Sequence, residues 1–153
     1  MKNKNAPVVI GVERSNMERY TENTWHSRDG HQAIDFDFTD PRSKLSTLVR
    51  LRMPIDVPVG EHNIADPMFN DSICVFEFLV DRAPTRQISG TLKIDELDFT
   101  EGAQCFRGSF KLKAVHPSYP GIFLVDCERF EFTEYLDWGK SKETECGTAD
   151  TPY

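Results

Sequence analysis

The chain has 153 residues, a length that favours one domain with its own core. Its net charge is −7, from 25 acidic and 18 basic residues, which argues against a nucleic-acid binder with a basic footprint and against docking on anionic lipid. Hydrophobic residues make up 39%, yet 11 are Phe, enough large rings to fill an interior.

In chain order, residues 8–13 read as a short strand. Residues 14–31 read as polar and irregular, with room for one helical turn; Asp29-Gly30 is a turn signal. Ile34, Phe36 and Phe38 alternate with Asp35, Asp37 and Thr39, the period of a half-buried strand. A second clear strand spans 44–53, with Leu45, Thr47, Val49, Leu51 and Met53 on one face and Arg50 and Arg52 on the other. Pro54, Pro58 and Gly60 break that pattern, and 66–72 reads as a loop. Residues 73–80 are apolar on both faces except at Glu77, which suits a strand in the middle of a sandwich or barrel.

Residues 88–94 (Ile-Ser-Gly-Thr-Leu-Lys-Ile) and 106–112 (Phe-Arg-Gly-Ser-Phe-Lys-Leu) echo each other: apolar, polar, Gly, hydroxyl, apolar, Lys, apolar. They read as two arms of a hairpin turning near Glu101-Gly102. Gly90 and Gly108 then sit inside strands, where glycine marks a bulge, a bend or a close approach; bending is the preferred reading and ligand approach the sharper one. Apolar parity slips twice, between Ile94 and Leu97 and between Val125 and Phe130, which predicts bulges near Asp95-Glu96 and near Cys127-Glu128. Pro117 to Gly121 forms a connector, and a last strand spans about 122–133. The expectation is an all-β fold: a single antiparallel β-sandwich or small barrel of seven to eight strands with little helix, over residues 1–138, followed by a flexible polar tail, 139–153.

The chemistry is sparse. The four cysteines, Cys74, Cys105, Cys127 and Cys146, are widely spaced, and no Cys-x-x-Cys pair points to zinc. Reduced thiols are expected, although Cys105 and Cys127 fall on strands that could neighbour each other. Arg107 and Lys111 near Cys105 would lower its pKa; plain packing is the preferred reading. Asp35, Asp37 and Asp40, like Asp95, Glu96 and Asp98, lack the glycine and distal glutamate of a calcium loop, and solvated faces explain them better. His26 and His31 flank Asp29 and could ligate a metal if His62 folded near; surface histidines are the preferred reading. No nucleophile elbow and no phosphate loop is present, so no catalytic residue, cofactor or metal is assigned. Glu77 is the candidate buried charge, with Arg50 or Arg52 as partner; a solvent-facing place on an edge is the equal alternative. Candidate partner-binding residues are Trp25, Asp35, Asp37, Tyr119, Tyr135 and Trp138; for Tyr135 and Trp138, capping the core is the preferred role.

From about Gly60 to Thr133 the order runs Gly-Glu-His-Asn-Ile, an apolar strand, Ser-Gly-Thr-Leu-Lys-Ile, Gly-Ser-Phe-Lys-Leu and a Phe-rich strand. This is similar to small β-sandwich domains of unknown function in bacterial surface lipoproteins. A departure from them is also expected, with no leader and no lipid-attachment cysteine. The resemblance implies the fold and no activity.

The expected function is non-catalytic protein binding. In concrete form this is a bacterial immunity or antitoxin protein that occludes the active site of a toxic, basic enzyme. The alternative is a β-sandwich that binds a small molecule, lipid or glycan; an enzyme of unknown class is the third reading. A cytoplasmic monomer or homodimer, without nucleic acid or membrane, is expected.

Overall fold

The structure is a computed structural model that describes residues 8–12, 15–19, 22–39, 46–76, 87–115 and 121–137. Glu77, Tyr119, Trp138 and the tail 139–153 lie outside the described residues. The described strands form two packed sheets. One has six strands: β1 (Val8–Val12), β2 (Ser15–Arg19), β6 (Gly60–Asn63), β8 (Gln87–Asp98), β9 (Cys105–Val115) and β10 (Ile122–Phe132), in the order β2-β1-β10-β9-β8-β6. The other has five: β3 (Glu22–Arg28), β4 (His31–Thr39), β5 (Ser46–Met53), β7 (Ile73–Phe76) and β11 (Tyr135–Leu136), in the order β11-β3-β4-β5-β7. The only helical turn among the described residues is a short 3-10 turn, Pro67–Phe69, capped by Asp66. None of the described helices is long and apolar enough to cross a membrane.

The fold is an all-β sandwich with more strands than the seven or eight expected. The difference lies mainly in residues 15–28, which pair as β2 and β3 where an irregular segment was expected. Asp29-Gly30 closes the β3–β4 hairpin, with Arg28 opposite His31. Every described strand pairing is antiparallel except one: β11 runs parallel to β3, because the chain leaves β10 at Phe132 and crosses directly to the facing sheet.

The core is the space between the sheets, and aromatic rings fill it. Phe36 of β4 meets Phe110 of β9 at 5.3 Å between ring centroids, and Phe132 of β10 at 5.8 Å. Phe106 meets Phe130 edge-on at 5.3 Å. Such tilted pairs add about 0.5–1.5 kcal/mol each beyond the area they bury. Ile34, Val49, Leu51, Leu92, Leu112, Phe123 and Val125 complete the interior.

Two bulges keep these rings inside. Pairing between β8 and β9 jumps from Ile94–Gly108 to Glu96–Arg107, leaving Asp95 unpaired. Pairing between β10 and β9 jumps from Cys127–Phe110 to Phe130–Gly108. Both fall where the parity slips predict them, and both meet β9 at Gly108. Each resets which face is buried, so Val125 and Phe130 both point inward although their sequence parity differs.

The two in-strand glycines answer to close approach rather than to bending alone. A Cβ on Gly90 would meet the Lys111 carbonyl oxygen and lie 2.9 Å from Leu112 Cα; one on Gly108 would meet the Lys93 carbonyl oxygen and the Phe130 ring. The approaching groups are the protein's own backbone and the Phe130 ring.

Candidate functional site

Trp25 was a candidate surface anchor; its side chain is 0% exposed. Strand β3 turns it into the core, where its indole Nε1 donates to Gln32 Oε1 at 2.9 Å. Gln32 in turn donates to the Pro54 carbonyl at 3.0 Å, so the buried amide is satisfied on both sides. Trp25 therefore acts in packing: its ring lies 4.9 Å from Tyr135, 5.3 Å from Phe99 and 5.5 Å from Phe106.

Asp35, also expected on a solvated face, is 15% exposed and fully engaged. Register places Arg50 directly across from it on β5. Arg50 Nε and Nη2 donate to the two carboxylate oxygens at 2.8 Å each, a bidentate fork. His26 Nε2 of β3 lies 3.2 Å from Asp35 Oδ2, and its Nδ1 faces the Ser27 carbonyl at 3.0 Å. His26 is only 1% exposed, so neither ring nitrogen is open to a substrate. The cluster laces β3, β4 and β5 together on their outer face. Beside it, Arg52 reaches Asp71 at 2.7 Å and His31 Nδ1 at 3.3 Å. Asp37 alone of the two strand aspartates is exposed.

Burial pushes the Asp35 carboxyl up, but the hydrogen bonds and charges of Arg50 and His26 outweigh it and hold it below its ordinary 3.8. A carboxylate with a lowered folded pKa contributes stability above its unfolded value and loses it as pH falls through the folded value. Asp35→Asn is therefore expected to cost about 2 kcal/mol at pH 7, because it breaks the fork and leaves Arg50 half-buried without its anion. The gap between wild type and variant should shrink as pH falls below about 4 and on through the lower folded value. Urea unfolding at pH 7 and at pH 3 checks both statements.

The histidines do not assemble. His62 sits on β6 of the other sheet, with Nε2 2.7 Å from the Pro58 carbonyl and its ring against Phe69. Among the described residues no group of three or more His, Cys, Asp or Glu is placed to hold a metal ion. Burial first, then the Glu96 charge, raise the Cys105 thiol and outweigh the lowering pull of Arg107, which was the sharper of the two sequence readings. Burial pushes Cys127 up to about 12. Cys74, Cys105 and Cys127 are thiols rather than disulfides; Cys127 lies across from Phe110, well along the sheet from Cys105.

The surface that stands out is one end of the sandwich. Residues 94–106 carry Asp95, Glu96, Asp98 and Glu101, and residues 130–137 carry Glu131, Glu134 and Asp137; neither stretch contains a Lys or Arg. The fold brings them together. Phe106 pairs with both Leu97 and Phe132, and the Tyr135 amide donates to Gln104 Oε1 at 3.1 Å. Trp25, Phe99 and Tyr135 plug the end of the core beneath them, with Phe99 and Tyr135 at 4.9 Å. Hydrogen bonds from the Thr100 hydroxyl and amide keep Asp98 below the usual carboxylate range. Arg107 and Lys93 are neighbouring cations: Arg107 is paired with Glu96 at 2.8 Å, and Lys93 lies 3.9 Å from Asp95. Tyr135, half-buried at this rim, caps the core as expected. The lack of bases in the two stretches is visible in the sequence; their convergence is not.

No protein family, curated protein or solved structure matches the chain. The likeness to lipoprotein sandwich domains thus rests on the order of strands and glycines alone.

Proposed function

We propose that this domain is a non-catalytic protein-binding module whose acidic end docks on a basic partner surface. The observation that carries the reading is that two base-free stretches, which hold seven carboxylates between them, meet at the end of the sandwich that Trp25, Phe99 and Tyr135 close. A fixed acidic surface steers a basic partner and sets its register at little ordering cost. The thiols of Cys105 and Cys127 are raised rather than lowered, the opposite of what an activated nucleophile needs. The Phe-packed interior counts against a lipid held between the sheets. In its concrete form the partner is a toxic enzyme and the domain its cytoplasmic immunity protein, blocking a basic active-site cleft.

The test is affinity capture from the native host with the wild-type chain and with Glu101→Lys/Glu134→Lys. Both substitutions are at exposed positions, so the fold should tolerate them. The expected result is a basic protein bound by wild type and weakened about tenfold or more by the double reversal. If the captured protein is an enzyme, its activity should fall on binding. Equal capture by both forms would sink the proposal.

A further inference from the structure

The acidic end has a third wall. Residues 53–66, which carry the chain from β5 through β6, hold Asp56, Glu61 and Asp66 and no Lys or Arg. Two sets of contacts bring the first part of this stretch to residues 94–106 and 130–137. Gln32, whose amide oxygen holds the Trp25 indole, donates from Nε2 to the Pro54 carbonyl at 3.0 Å and to the Ile55 carbonyl at 3.4 Å. Gly60 pairs with Ile94, so Val59 stands level with Asp95, the residue that the β8 bulge leaves out of the ladder. The loop 54–59 therefore runs from beside the aromatic plug to the bulge.

This loop presents aliphatic side chains on a stiff frame. Val57 turns inward, and its amide donates to the Pro54 carbonyl at 3.2 Å. Pro54 and Pro58 fix φ on either side of it. Ile55 and Val59 are left 45% and 58% exposed, with the exposed Asp56 next to Ile55. Exposed aliphatics scattered over a surface need no special explanation. Ile122 and Leu124, equally exposed on the outer face of β10, are the ordinary case: Leu124 stands across from Lys113, far along the sheet from the acidic end. Ile55 and Val59 differ in two respects. Their backbone is tied to the buried Trp25–Gln32 pair, so little order remains to be lost on binding. They are also flanked by carboxylates, which gives the anatomy of an interface, an apolar centre with a polar rim.

We propose that Ile55 and Val59 are the apolar anchors of the acidic end, seated in an aliphatic or aromatic socket that Lys and Arg side chains ring on a protein partner. With the acidic end as the docking surface, on which this rests, charge steers the partner in and the two anchors hold it. Steering sets the rate of encounter, whereas buried apolar contacts set how long a complex lasts. Charge complementarity defines the occupant. A socket without bases would strip water from the flanking carboxylates and give nothing back, and an anionic lipid surface would repel them.

The test is an amide-resonance titration of the full chain with two synthetic peptides of equal length and charge. One is an amphipathic peptide of Lys and Leu, which offers an apolar face ringed by ammonium groups; the other replaces every Leu with Ser. Both should shift residues 95–104, and the Lys–Leu peptide should also shift residues 55–60 and bind about fivefold or more tightly. Ile55→Ser/Val59→Ser should erase that difference while leaving binding of the Lys–Ser peptide and the resonances of the core unchanged. Ile122→Ser/Leu124→Ser should keep the difference. Equal affinity for the two peptides, or a Lys–Leu gain that follows Ile122 and Leu124, would overturn the anchors and leave the acidic docking surface standing. No shift at residues 95–104 with either peptide would overturn both.

Discussion

Trp25→Ala is expected to cost about 4–5 kcal/mol of folding stability, among the largest losses any single truncation should produce here. The ring is fully buried and contacts Phe99, Phe106 and Tyr135, so its removal opens a cavity at the end of the core. Its loss also leaves Gln32 Oε1 without its donor, which adds about 1 kcal/mol or more within that total. For a chain of this size the melting temperature should fall by roughly 10–20 °C. Trp25→Phe keeps most of the packing and should lose less than half as much. Thermal and urea unfolding of both variants decide the matter. A loss under about 1 kcal/mol for the alanine form would mean that the residue is not in the core.

Gly90→Ala is expected to be as damaging, for a different reason. Gly90 has φ +131°, a backbone region that side-chain-bearing residues rarely adopt. The added methyl would also run into the Lys111 carbonyl oxygen and Leu112 Cα, and backbone in the middle of a sheet cannot move aside. Strain and overlap together give about 3–6 kcal/mol. Gly102→Ala is the control: it too has positive φ, +87°, but open space around the methyl. It should lose only about 1–2 kcal/mol, the backbone component alone. Comparable losses at the two positions would show that overlap at Gly90 is not the cause.

Much of the fold was legible in the sequence because the buried face imposes a strict period of two. The alternation through Ile34 and Phe36 and through Val49 and Leu51 gave β4 and β5. The repeated glycine pattern gave the β8–β9 hairpin, and the two breaks in parity placed both bulges. Strands β2 and β3 were missed because much of their sequence is polar. The outward positions of β3 include His26, which serves the Asp35–Arg50 cluster and so obscures the alternation around Trp25. Asp35 was misjudged because an outward position was equated with a wet one. On this sheet the outward neighbours are Arg50 and His26, and they cover it. The pattern of Asp35 and Asp37 on one strand against Arg50 and Arg52 on the next was a readable sign of pairing. The acidic end depends on bringing together two stretches about thirty residues apart, which only the strand order does.

The acidic end, rather than a reactive centre, is the proposed working surface. Hydrogen exchange of the full chain, free and in complex with its captured partner, tests this most directly. Protection on binding should concentrate in residues 95–104 and 131–137 and weaken as salt rises. Protection confined to the outer face of β3, β4 and β5, or to the outer face of β8, β9 and β10, would contradict it.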